Sequence, residues 1–235
     1  MVVRVVSGGL GFGLALAWGL AARPAAAAPN SGAVQLSLDG ALVSYTLTNV
    51  KPDADGINAR TPFTQSSMSY GPFGSGFGLG AGYVLDRFVL GARAQLTSTT
   101  FKNDDSGDSS ALPPGESKQT EISFFPRAEV LFNGGDVRAF AAAVVGVSRS
   151  SAEPQTGDGV WSTSYLAGAS LGVHAFLSDR LSIDPALTAL GFAGSQTLAA
   201  VNVSSNEFAP ADRHASTNGY RLLFSVGLSA WLGGH

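Results

Sequence analysis

Tyr220-Arg-Leu-Leu-Phe-Ser-Val-Gly-Leu-Ser-Ala-Trp-Leu232 decides the fold. Tyr220, Leu222, Phe224, Val226, Leu228, Ala230 and Leu232 recur at every second position, while Arg221, Ser225, Gly227 and Ser229 occupy the positions between. Successive strand residues point to opposite faces, so a period of two is the signature of an amphipathic strand. Leu223 and Trp231 are the exceptions, apolar residues on the polar side. The same rhythm runs through Trp161, Thr163, Tyr165, Ala167, Ala169, Leu171 and Val173, set against Ser162, Ser164, Gly168, Ser170, Gly172 and His174. It appears again in Phe88, Leu90, Ala92, Ala94 and Leu96, opposed by Gly91, Arg93, Gln95 and Thr97.

Working outward, short turn signals fall at Asp86-Arg87, Asn133-Gly134-Gly135-Asp136 and Ser178-Asp179-Arg180. Longer polar segments separate the hairpins: Asn49 to Ser66, Asn103 to Ser117, Ser150 to Gly159 and Ala199 to Ser216. Their Gly, Pro, Asn, Asp and Ser content is that of loops. The pattern predicts strands over Val34–Thr48, Met68–Leu85, Phe88–Phe101, Lys118–Phe132, Val137–Arg149, Val160–Leu177, Leu181–Leu198 and Thr217–Leu232. Eight strands with short turns at one end and long loops at the other describe an all-β, antiparallel up-and-down barrel.

The face opposite the apolar one says which kind of barrel. A soluble barrel hides its apolar face and shows water a charged exterior; an outer-membrane barrel turns that face to lipid and fills its lumen with small and polar groups. Here the second face is Gly, Ser, Thr and Ala with isolated charges, and charged residues are only 13% of the chain against a typical ~25%. Strands of this length cover the ~9–11 residues that cross a bilayer obliquely. A closed barrel also satisfies its backbone without water, as hydrocarbon demands. The lipid-facing arrangement is expected, ahead of a soluble periplasmic barrel.

Composition closes off other classes. Among 235 residues 30 are glycine, none is cysteine, and the net charge is −3. There is no thiolate metal site, no disulfide framework and no basic footprint for nucleic acid. At the N-terminus Arg4 precedes an apolar run from Val5 to Ala22, followed by Arg23, Pro24 and Ala25 to Ala28. This order is that of a secretory signal peptide cut at an A-x-A site. The expected organisation is a signal peptide over residues 1–27, a short lead over 28–33 and the barrel over 34–235.

At this point the chain resembles the small eight-stranded outer-membrane barrels of the OmpA/OmpX type, over about residues 30–235. Gly80-Ala-Gly-Tyr-Val-Leu-Asp-Arg-Phe88 and Gly172-Val-His-Ala-Phe-Leu-Ser-Asp-Arg-Leu181 carry the resemblance through a repeated glycine–aromatic–Asp-Arg hairpin. The family ends on a terminal aromatic, whereas this chain ends Trp231-Leu-Gly-Gly-His235. The resemblance implies a transmembrane β-barrel of the Gram-negative cell envelope, inserted by the barrel-assembly machinery into outer-membrane lipid. It implies a structural or surface-interaction role with an extracellular partner at the long loops, and no cofactor. A narrow pore for small solutes is the alternative, with a lipid-modifying enzyme behind it.

Several residue sets could carry chemistry. Arg93, Arg127, Glu129, Asp184 and Arg221 fall on the luminal face, with Asp39 a sixth. An eight-stranded barrel is filled by side chains, and charges buried there must pair. They are expected to form a salt-bridge plug rather than a gated ion path. Gly74, Gly76, Gly78, Gly80 and Gly82 alternate along one strand; they fail as a phosphate loop and instead leave room for neighbouring arginines and aromatics. Gly168-Ala-Ser170-Leu-Gly172 with His174 matches a nucleophile-elbow spacing, but inside an uninterrupted strand, where the required strand-to-helix turn is missing. Asp53, Asp55 and Asn58 have oxygen-ligand spacing for calcium, as does the Asp104 to Asp108 run, yet neither completes a calcium loop.

Overall fold

The computed structural model describes residues 31–52, 62–70, 76–103, 115–132, 135–153, 160–198 and 213–233. Among them there is no helix. The strands are β1 (Val34–Pro52), β2 (Phe63–Tyr70), β3 (Phe77–Leu85), β4 (Phe88–Asn103), β5 (Gly115–Phe132), β6 (Val137–Glu153), β7 (Val160–Ser178), β8 (Leu181–Leu198) and β9 (Arg213–Leu232). Each pairs antiparallel with the next, in the order β2-β1-β3-β4-β5-β6-β7-β8-β9, and β1 also pairs with β9 to close the sheet. β2 and β3 share one position beside β1: Val43 to Val50 of β1 face β2, and Val34 to Gly40 face β3. The ring therefore has eight positions and is all-β and antiparallel, with short turns such as Asp86-Arg87 and Asp179-Arg180 at one end.

Two details differ from the sequence pattern. The single strand expected over Met68–Leu85 is divided into β2 and β3, and Gly76, at its resumption, takes φ = 102°, a conformation side-chain-bearing residues rarely adopt. Strands also run on into segments expected as loops: β1 continues to Pro52, β6 to Glu153, and β9 begins at Arg213. Ladder hydrogen bonds join backbones, so pairing persists where the outward stripe turns from apolar to Ser, Thr and Asn. Asn49 shows this outside the apolar band, where its amide donates to Asn218 at 3.2 Å and Thr64 donates to it at 2.8 Å.

The outward stripe is apolar and exposed. Leu36 and Leu38 on β1, Leu79 and Tyr83 on β3, Phe88 and Leu90 on β4, Leu171 on β7, and Phe224 and Leu228 on β9 all face away from the barrel. A register shift between Ala41 and Val43 turns β1 over by one residue, so Ala41 is buried while Val43 aligns with Phe224 on the outer wall. A water-exposed belt of this extent would be ruinous for a soluble domain. Facing lipid, it is what holds the barrel in the bilayer.

Candidate functional site

The lumen is the site, and its strands stack it in layers. Nearest the short turns lies an apolar layer of Ala33, Val84, Val89, Leu131, Phe140, Ala142, Phe176 and Trp231. Above it comes a polar layer from β1, β4, β5, β7, β8 and β9. A second apolar layer follows, made by Ala41, Phe125, Val144, Leu166, Leu190 and Leu223. Further toward the long loops, among the described residues, stands the ion pair of Arg221 with Glu121.

Glu129 and His174, 0% and 1% exposed, anchor the polar layer. Glu129 accepts from Arg127, and its other oxygen lies 2.8 Å from His174 Nε2. His174 Nδ1 lies 2.8 Å from Asp184 Oδ1, and Asp184 also accepts from Ser182 (2.7 Å) and Ser229. Asp39 pairs with Arg93. Three carboxyl groups thus meet two guanidinium groups and one imidazole. The imidazole stacks on Phe140 with centroids 4.7 Å apart and meets Trp231 edge-on at 5.1 Å. Arg127 also lies over the Phe140 ring at 5.1 Å, a cation–π contact that ties the polar layer to the apolar one below. Trp231 completes the seal by donating from its indole nitrogen to Ser182 at 3.0 Å.

Small residues open the space these groups fill. A Cβ at Gly78 would lie 2.6 Å from Arg93 Nε and 3.0 Å from Asp39 Oδ1; one at Gly172 would meet Phe140 at 2.5 Å. Two prolines sit beside the charged groups: Pro126 precedes Arg127 and Pro185 follows Asp184. Each falls at a gap in one neighbouring ladder, between β5 and β6 and between β7 and β8, because proline has no N–H to give. Small cavities remain among the described residues, one of about 10 Å³ beside Gln35, Ser37 and Arg93. One cavity of about 30 Å³, lined by Arg93, Gln95, Arg127, Ser170, Thr188 and Ser225, holds roughly two waters.

All five luminal residues expected from sequence point into the barrel, with Asp39 as the sixth, but they do not form one cluster. Arg93, Arg127, Glu129, Asp184 and Asp39 share the lower polar layer. Arg221 stands apart, making two hydrogen bonds to Glu121 at 2.7 and 3.0 Å, where Ser148 and Ser123 also donate. Sequence reasoning omitted Glu121 and left His174 out of the network. Parity held the signal for Glu121, which alternates with Ser123, Phe125, Arg127 and Glu129 on β5. The structure does not join Ser170 to His174. Ser170 accepts from Thr188 at 2.9 Å, and both His174 nitrogens are on carboxyl groups. Gly74, Asp53, Asp55, Asn58 and residues 104–108 lie outside the described residues, as do residues 1–27.

No protein-family model matches the chain, and no curated protein matches it in sequence. Solved structures do. The outer membrane protein OprG of Pseudomonas aeruginosa aligns over 86% of this chain and 97% of its own, with 11% identity and a TM-score of 0.50. Neisserial surface protein A aligns over 85% and 99%, with 14% identity and a TM-score of 0.43. The outer membrane protease OmpT of Escherichia coli aligns over 91% and 100%, with 9% identity and a TM-score of 0.43. The closed ring and its lipid-facing belt define the class: an outer-membrane-type β-barrel. Within that class it is of the narrow kind, eight positions around.

Proposed function

We propose that this chain is a plugged barrel whose role is structural or surface-directed, its wall held in outer-membrane lipid and its long loops offered to an extracellular partner. The observation that carries this reading is the filled lumen. Two apolar layers enclose a polar layer in which Glu129, Asp184 and Asp39 all have partners, and the cavities found among the described residues hold only a few waters. A hydrated ion needs a continuous polar path, and Trp231, Phe140 and Phe176 interrupt it. Catalysis is not part of the proposal, because His174 has no nucleophile on either nitrogen. Export through residues 1–27 and insertion by the barrel-assembly machinery belong to the same reading. Single-barrel recordings in planar bilayers test it. A silent bilayer is expected from folded protein, and steady unitary conductance that persists after refolding would replace the plug with a narrow pore.

A further inference from the structure

The outer wall carries one charge in an unusual place. Among the strand residues whose exposure the structure describes, Lys51 and Arg149 are the charged side chains on the outward face. Below Arg149, β6 presents Val137, Ala139, Ala141, Ala143, Val145 and Val147 to lipid, an unbroken apolar stripe. Ten residues at ~3.4 Å each span about 34 Å along the strand, which a tilt of ~35–45° reduces to the ~25 Å height of a barrel's apolar band. Arg149 is the next outward residue, so it stands where hydrocarbon gives way to headgroups, on the long-loop side. The ladder through it shows the same boundary: Ile122 on one side is apolar, and Thr163 followed by Ser195 on the other is not.

Its surroundings suit a bound anion. The Arg149 guanidinium lies 4.9 Å over the Trp161 ring, and no carboxylate among the described residues pairs with it. The ring contact positions the guanidinium, a group whose paired N–H donors grip phosphate oxygens two at a time. Ile122 beside it, and Val147 and Tyr165 just below, are exposed and offer an apolar surface to acyl chains. We propose that Arg149 and Trp161 form a binding site for a phosphorylated lipid of the outer leaflet. Arg149 holds the headgroup phosphate, Trp161 orients Arg149, and the stripe beneath takes the chains. This site is independent of the luminal plug.

Native mass spectrometry of the folded full chain in zwitterionic detergent tests it. The probes are a phosphorylated, multiply acylated glycolipid and the same glycolipid after enzymatic dephosphorylation. One cation near a membrane surface contributes enough for a preference of about fivefold for the phosphorylated probe. Arg149→Gln should erase that preference, Trp161→Leu should weaken it, and Lys51→Gln should leave it intact. A heat-dependent gel shift shows that each variant is folded; removing an outward charge removes no luminal contact. Equal retention of both probes by the wild type, or an unchanged preference in Arg149→Gln, overturns the site. Loss of the preference on adding inorganic phosphate also overturns it, since the site would then take a free ion rather than a lipid.

Discussion

Removing the Arg127 guanidinium isolates the central element of the plug. Glu129 is fully buried and has two polar neighbours, the Arg127 guanidinium on one oxygen and the His174 imidazole on the other. Arg127→Ala deletes the first and the cation–π contact over Phe140, leaving a buried carboxylate with half its compensation. Breaking a buried pair from one side costs about 3–5 kcal/mol. The Arg127 side chain is 22% exposed, so solvent screens part of the pair and the lower end, about 3 kcal/mol, is expected. Urea unfolding in detergent micelles reads this. With a slope of ~1–3 kcal/mol/M the midpoint should fall by about 1 M or more. The paired change Arg127→Met with Glu129→Met should recover much of the loss, because apolar groups of similar volume need no partner. An Arg127→Ala midpoint equal to wild type would refute the layer as drawn.

Gly78→Val places a side chain against Arg93 and Asp39, where even a Cβ meets atoms at 2.6 and 3.0 Å, and overpacking should cost about 1–3 kcal/mol in the same assay. Leu171→Arg puts a charge on the outward face opposite Ala141, midway along the apolar stripe, and should lower stability in liposomes by about 2–4 kcal/mol. Arg221→Ala removes both hydrogen bonds to Glu121, yet each side chain is partly exposed, so the midpoint should fall by less than for Arg127→Ala.

The wall of the barrel was legible because a strand's alternation is local. Tyr220 to Leu232 announced both faces, and even its exceptions obey the geometry: Leu223 and Trp231 point into the lumen and are 7% and 2% exposed. A narrow lumen must be filled, so apolar residues on the inner face are core and not errors in the pattern. The one-residue shift at Ala41/Val43 left no trace, since Ala41 to Val43 is apolar throughout. Strand ends were overshot by the structure for a related reason: backbone pairing does not require an apolar side chain. At the site, parity assigned Arg93, Arg127, Glu129, Asp184 and Arg221 to the inside but could not say who meets whom. His174 finds Glu129 on β5 and Asp184 on β8, a matter of register and tilt that no local spacing encodes.

One face of each strand meets lipid and the other a packed lumen. The chain has no cysteine, so single cysteines at positions 224 to 228 can be labelled on a clean background. A probe at Phe224, Val226 or Leu228 should be quenched strongly by lipid-borne quencher, and one at Ser225 or Gly227 weakly, giving high, low, high, low, high along the strand. Uniformly low quenching across the five positions would contradict the lipid-facing wall itself.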